Sequence, residues 1–301
     1  MPISINPNLR LPISHRLKSD TLLLFVSAVW GSGFVAQRVA SETMSNFIFN
    51  GIRFLIGALL LLLLVRFRVK IGHRHLGWTF LAGGLLFAAS SLQQIGIKTT
   101  TAANAGFITG LYVVIIPVLL AVFGRQRIHW TVWVAALIAT AGTGLLSTGG
   151  RIEPSHGDWI ILSGAFMWAF HVIVVGKMAR NMDPLQFTIA QFGVCALLNL
   201  FFSLVLDLGS PPPAGQAWLA VLYSAVFPVG IGFTLQVIGQ RHSPTTDAAI
   251  IFSMEAVFGA LFGYWLLNES LLVPQMIGCF LILGAIFLAQ AQPVLQKEPT
   301  S

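Results

Sequence analysis

Charge is scarce in this chain: ten Asp and Glu stand among 301 residues, and Lys and Arg add only 17. Charged residues make up 9% and apolar ones 56%, with a mean hydropathy of +0.82. Loops so poor in polar residues cannot build a separate soluble domain, which disfavours an enzyme with a cytosolic catalytic module. The two cysteines, Cys195 and Cys279, lie in apolar runs with no Cys or His at metal-ligand spacing nearby. They read as buried thiols, neither disulfide nor metal site. No Gly-rich loop ending in Lys-Ser/Thr is present, so ATP-driven pumping has no local support and no cofactor is implied. Nothing shows the ten-residue dyad alternation of a membrane-spanning strand, which excludes a β-barrel. The net charge of +7 fits basic cytoplasmic loops better than a nucleic-acid partner.

What the chain has instead is ten apolar segments, roughly 21–39, 46–65, 77–97, 102–123, 130–148, 158–178, 184–206, 217–239, 246–267 and 273–290. Each is near the length that carries a helix across ~30 Å of hydrocarbon. Because backbone polar groups must be satisfied inside lipid, these segments are expected as helices, giving an all-α membrane protein with a lipid bilayer as its surroundings. Residues 1–19 carry Pro2, Pro7, Pro12, Arg10, Arg16 and Lys18 and are expected as a disordered cytoplasmic tail. The apolar run that follows continues through Trp30 to Ala36, longer than a signal-peptide core. Residues 291–301 form a second expected tail.

An internal repeat organises the rest. A shift of 138 places Trp30 on Trp168, Phe49 on Phe187, Arg53 on Gln191 and Ala58 on Ala196. A shift of 143 places Leu92-Gln93 on Leu235-Gln236, Lys98 on Arg241, Asn104 on Asp247 and Ala105 on Ala248. Two five-helix units, 20–149 and 157–290, are therefore expected. Because five is odd, the second enters the membrane from the opposite side, giving the inverted repeat characteristic of secondary transporters. With the N-terminus cytoplasmic, the inner segments hold 13 Lys and Arg and the outer ends three: Arg38, Lys98 and Arg151. That bias puts both termini in the cytoplasm.

Between Asp247 and Glu269 lie twenty-one residues containing one ionised side chain, Glu255. A charge at membrane depth is expensive and normally faces a cavity or partner, which makes Glu255 a candidate site; the competing role is a protonated or hydrogen-bonded packing group. The 143 shift pairs Glu255 with Tyr112, so an inverted repeat would set the two facing each other near the midplane. Gln93, Gln94, Asn104, Thr109, Gln236 and Ser253 are further polar groups at depths that demand hydrogen-bond partners. His171 stands three residues after Trp168 on the same helical face. Its imidazole could bind substrate, take a proton or merely join two helices. Trp30 and Trp168 could stack on substrate or fill space.

Arg53, some eight residues into its span, reads as a structural ion pair or carbonyl contact. Gly106 and Gly110, like Gly259 and Gly263, have the spacing that lets helices approach closely, within the chain or in a homodimer. Pro117, Pro228 and the Gly31/Gly33 pair are candidate hinges. With Arg53 the only cation well inside a span, a multiply charged anion would lack counter-charges. Amphipathic neutral or zwitterionic solutes suit the aromatic, Gln-rich interior better.

The segments Trp30-Gly31-Ser32-Gly33-Phe34, Gly51-Ile52-Arg53-Phe54, Ala105 to Tyr112 with Pro117, and Ser253-Met254-Glu255 with Asn268-Glu269 occur in an order that resembles the EamA-type carriers of the drug/metabolite transporter superfamily. The resemblance covers roughly residues 21–290. It implies a ten-helix carrier, a central cavity between two EamA-like units, alternating access and export of small organic metabolites across the inner membrane. The chain departs from the family's pattern at Ala256, where proline usually follows the glutamate and kinks the ninth helix. Uptake is the rival direction; an intramembrane enzyme or scaffold is the rival class, with Glu255 and His171 its only catalytic pair. A reporter fused after Ser301 is expected on the cytoplasmic face, and a periplasmic signal contradicts the ten-span reading.

Overall fold

The computed structural model describes residues 13–100, 102–148, 155–207, 215–267 and 272–295, and every element among them is helical. In chain order these are α1 (Ile13–Thr43), α2 (Asn46–Leu64), α3 (His73–Gly96), α4 (Ala102–Gly110), α5 (Tyr112–Val122), α6 (Trp130–Thr148), α7 (His156–Met178), α8 (Pro184–Leu206) and α9 (Gly215–Ser224). A π-helical segment, Ala225–Phe233, leads into α10 (Thr234–Gln240), followed by α11 (Thr245–Phe252), α12 (Met254–Leu267) and α13 (Val273–Leu295). Eight stretches of the described residues are long and apolar enough to cross a membrane; Trp130–Leu146 and Val273–Ala289 are shorter apolar helices. The chain is thus a multi-pass membrane protein by length and composition.

Starts of helices follow ordinary capping chemistry. Ser45 accepts a hydrogen bond from the Ile48 amide at the head of α2 and also donates to Asp207 Oδ2 at 2.6 Å. Ser155 and Asp158 form a capping box at the head of α7, and Asp183 precedes Pro184 at the first position of α8.

Three features differ from the sequence expectations. Residues 13–19, expected in a disordered tail, are the first turns of α1, because Arg16 forms an ion pair with Asp247 and Ser19 and Asp20 are buried. At the other end α13 runs on to Leu295. Two expected single spans are each interrupted, at Leu111 between α4 and α5 and at Ser253 between α11 and α12. Ser253 donates its hydroxyl to the Ile250 carbonyl at 2.6 Å, and its own amide bonds back only three residues. The helix breaks here without a proline, and the side-chain bond lies in its last turn. By contrast, α1 runs uninterrupted through Gly31 and Gly33, and α5 through Pro117, so of the expected hinges only Pro228 lies in altered helix geometry.

Helices from early and late parts of the chain interleave. α2 packs along α8, α3 along α7 and α8, α6 along α13, and α1 against α9 through α12. The largest apolar cluster accordingly draws Leu23, Tyr112, Ala169, Phe252 and Ala285 into one core. Leu59, Leu63, Leu197, Phe201 and Phe280 remain exposed on outward faces, as lipid contact requires. Close approach is concentrated away from the expected Gly106/Gly110 pair, whose added Cβ atoms would meet only ordinary contacts at 3.7–3.9 Å. A Cβ on Gly31 would instead stand 2.6 Å from the Glu255 carbonyl oxygen and 2.8 Å from the Gly259 nitrogen, both rigid backbone. Gly31→Ala is expected to force α1 from α12 and cost about 1–3 kcal/mol, read as a lower Tm in detergent, while Gly84→Ala, which meets nothing within 4 Å, leaves Tm unchanged or higher. Equal Tm values for the two variants would show that this crossing is not the tight one.

Candidate functional site

Both helix interruptions place a polar side chain just beyond the break. Tyr112 is the first residue of α5 and Glu255 the second of α12. Tyr112 Oη donates to Glu255 Oε1 at 3.3 Å, and both side chains are buried. The start of α12 directs its amide dipoles toward the carboxyl, an environment that suits a negative charge.

Beside this pair lies an aromatic patch. The Trp30 ring is 5.0 Å from Phe233 and 5.1 Å from Phe252, and Trp168 stacks on Phe233 at 5.8 Å with 12° between the planes. The two repeat-related tryptophans thus hold the same phenylalanine, which sequence reasoning had not singled out. Trp30 Nε1 donates to the Pro228 carbonyl at 3.1 Å, tying α1 to the π-helical segment. Trp168 Nε1 is buried without a partner. His171 meets Trp168 edge-on at 5.7 Å, and its Nε2 donates to Gln191 Oε1 at 2.9 Å, leaving Nδ1 unpaired.

The remaining candidates fall into separate environments. Gln93 Nε2 donates to Thr109 Oγ1 at 3.3 Å, whereas Gln94 Nε2 donates to the Gln37 carbonyl at 3.2 Å. Gln236 is fully buried with both amide atoms unpaired, and Ser253 spends its hydroxyl on its own helix. The side chain of Asn104, and Asn268 and Glu269 entirely, lie outside the described residues. Arg53 makes neither of the contacts expected of it: among the described residues no carboxylate or carbonyl oxygen pairs with it. Its guanidinium lies over the rings of Phe49 at 4.7 Å and Phe54 at 5.1 Å. Cys195 is buried and Cys279 half-buried; both are unpaired thiols, and no group of metal-ligating side chains occurs among the described residues.

Two carboxylate–hydroxyl contacts at the span ends escaped the sequence reading. Ser243 donates to Asp20 Oδ1 at 2.8 Å, near where α1 begins, and Thr100 donates to Asp158 Oδ1 at 2.5 Å. Arg38, eighteen residues after Asp20 on α1, donates to the carbonyls of Ile97 and Thr100 at 2.9 and 3.4 Å. The two contacts are therefore separated by about 27 Å at 1.5 Å per residue, with Gly31 and Glu255 between them. The signal was in the repeat, since the 138 shift carries Asp20 to Asp158 and the 143 shift carries Thr100 to Ser243. The two differ in their cations among the described residues: at the first, Arg16 pairs with the Asp247 carboxylate and lies 3.6 Å from Asp20, whereas at the second Arg38 meets backbone carbonyls.

Comparison with known proteins gives one consistent answer. The EamA-like transporter family model matches residues 17–148 and again 155–290. An uncharacterized transporter of Archaeoglobus fulgidus is 30% identical over 286 residues, covering 91% of this chain and 86% of the relative. The uncharacterized transporter YetK of Bacillus subtilis is 24% identical over 301 residues, covering 95% and 90%. A solved structure titled only as the crystal structure of a protein has the same fold, with a TM-score of 0.78 at 20% identity, covering 91% of this chain and 99% of that one. The repeated match over most of the chain places it in a family of membrane transporters: the chain belongs to the EamA-like transporter family.

Proposed function

We propose that this transporter moves small organic metabolites, amino-acid-like or amphipathic in character, outward across the cytoplasmic membrane by alternating access, with both termini in the cytoplasm. The observation that carries the reading is the buried Tyr112–Glu255 contact at two helix interruptions. A carboxyl held there, with a phenol as its polar neighbour and the Trp30–Phe233–Trp168 patch beside it, can exchange a proton or pair with a substrate ammonium while aromatic faces take the apolar body. An enzymatic reading would use Glu255 with His171. It is disfavoured because His171 is committed to Gln191 and Trp168 and makes no bond to Glu255.

Ten spans arranged as two inverted five-helix units, 20–149 and 157–290, form the framework of the proposal. The two repeat-related carboxylate–hydroxyl contacts support it, because an inverted repeat sets equivalent bonds on opposite membrane faces. One contact closes the cytoplasmic end and the other the outer end, and the half that rocks breaks one while keeping the other. The extra Arg16–Asp247 pair favours closure of the cytoplasmic end at rest. Export as the net direction rests on family resemblance.

Glu255→Gln keeps the shape of the side chain and removes its charge. Transport in vesicles is expected to fall at least about tenfold, equivalent to roughly 1.4 kcal/mol of differential interaction, with expression and Tm close to wild type. A proton-coupling carboxyl also loses its pH response in this variant, whereas a substrate-pairing one loses affinity for cationic and zwitterionic solutes. Wild-type rate and affinity in Glu255→Gln would reduce the residue to packing.

A further inference from the structure

Arg53 is 4% exposed, and its Nε is buried without a hydrogen-bond partner. Among the described residues no carboxylate lies within ion-pair distance of it, and the two ion pairs both belong to Arg16. One turn earlier on the same helix face, Asn50 is fully buried with both Nδ2 and Oδ1 unpaired. A buried guanidinium without a counter-ion is costly to the fold, and each unpaired buried amide atom adds to that cost. The fold itself does not demand the charge. At the repeat-equivalent position stands the neutral Gln191, which is also fully buried and accepts a bond from His171.

We infer that Arg53 and Asn50 form an anion subsite that takes the carboxylate of the transported solute. Guanidinium and amide donors converge from one face of α2, and a carboxylate offers about four acceptor positions to receive them. Arg53 is the one cation well inside a span, so the group it holds is a monoanion; a phosphate would keep an unbalanced charge. Phe49 and Phe54 flank the guanidinium, and Phe54 continues at 5.9 Å into Phe233, which lies 5.0 Å from Trp30. The aromatic patch beside the anion subsite therefore receives the remainder of the solute. The substrate class is a monocarboxylate with an aromatic or branched apolar body, zwitterions included. Gly31, next to Trp30, packs on the Glu255 backbone, so Glu255 lies toward the far end of the same patch from Arg53. This assignment rests on the transporter reading only for its meaning, since binding is measured without transport.

The test is thermal unfolding of the purified full chain in detergent with two matched pairs of probes at constant ionic strength: 3-phenylpropionate against 3-phenylpropionamide, and L-phenylalanine against L-phenylalaninamide. From micromolar to tens of millimolar, the acids are expected to raise the wild-type Tm by roughly 3 °C or more, and the amides by less. Arg53→Gln is expected to abolish the preference for acids while its ligand-free Tm stays at or above wild type, because an unpaired buried charge has been removed. Arg53→Lys keeps the charge but not the planar fork and is expected to weaken the acid response about tenfold. The inference is overturned if no carboxylate shifts the wild type, if acids and amides act alike, or if Arg53→Gln melts lower with its acid response intact.

Should Arg53→Gln fail to fold, site-resolved phenylglyoxal labelling of the wild type decides. Protection of Arg53 by 3-phenylpropionate but not by its amide supports the subsite, and equal labelling under both overturns it. Transport that depends on Glu255 in a protein indifferent to carboxylates removes the anion subsite alone. A carboxylate preference in a protein whose transport ignores Glu255 removes the role of that glutamate alone.

Discussion

Inside hydrocarbon a polar group has only the protein to answer it, and the interior of this chain is shaped by the few groups for which that answer matters. Glu255 is the clearest. Its carboxyl meets the Tyr112 hydroxyl, on a helix that has been broken one residue before it starts and is held against α1 where Gly31 has no side chain. Each feature supports the others. The break at Ser253 sets the start of α12 at the carboxyl, the absence of a Cβ on Gly31 lets α1 close over it, and Trp30, the residue before it, holds the aromatic patch.

The same constraint separates polar groups that are answered within the protein from those that are not. Gln93 pairs with Thr109 and leaves neither side chain with an unanswered buried atom, whereas His171 and Gln191 share one bond and each keep one unpaired nitrogen. Arg53, Asn50 and Gln236 are equally deep and keep unpaired atoms, and such groups are where a solute of complementary chemistry gains most from entering. At the span ends, Asp20 with Ser243 and Asp158 with Thr100 are single side-chain hydrogen bonds between residues far apart in the chain, and in the proposed cycle water takes the place of one of them at the end that opens.

Helical architecture was legible because uninterrupted apolar runs of span length leave no other backbone solution. The partnership of Tyr112 with Glu255 was legible for a different reason: the 143-residue shift relates them, and the observed contact joins those two side chains. The interruption at Ser253 was not, since the expected signal was a proline after the glutamate and the break falls instead two residues before the glutamate, at a serine of a kind that also sits inside unbroken helices such as α1. Residues 13–19 were read as part of a tail from the prolines before them and the charges of Arg16 and Lys18, whereas Arg16 finds Asp247 more than two hundred residues away, a pairing that local composition cannot report. Asp20 and Asp158 were overlooked because a carboxylate at a span end looks solvated until the repeat is applied to it. Arg53 was assigned an ion pair or a carbonyl contact on general grounds, whereas among the described residues its guanidinium meets the rings of Phe49 and Phe54 and no carboxylate.

The central claim is that the two ends of the bundle open one at a time about the Tyr112–Glu255 centre. Pulsed electron-spin distances test it directly, with labels at the exposed positions Lys18 and Arg241 across one end and Lys98 and His156 across the other. Native cysteines are replaced, and the measurement is made with Ser243→Ala, with Thr100→Ala and with neither. The account predicts that Ser243→Ala lengthens only the Lys18–Arg241 distance and Thr100→Ala only the Lys98–His156 distance. Distances that ignore both substitutions, or that lengthen together at both ends, would contradict it.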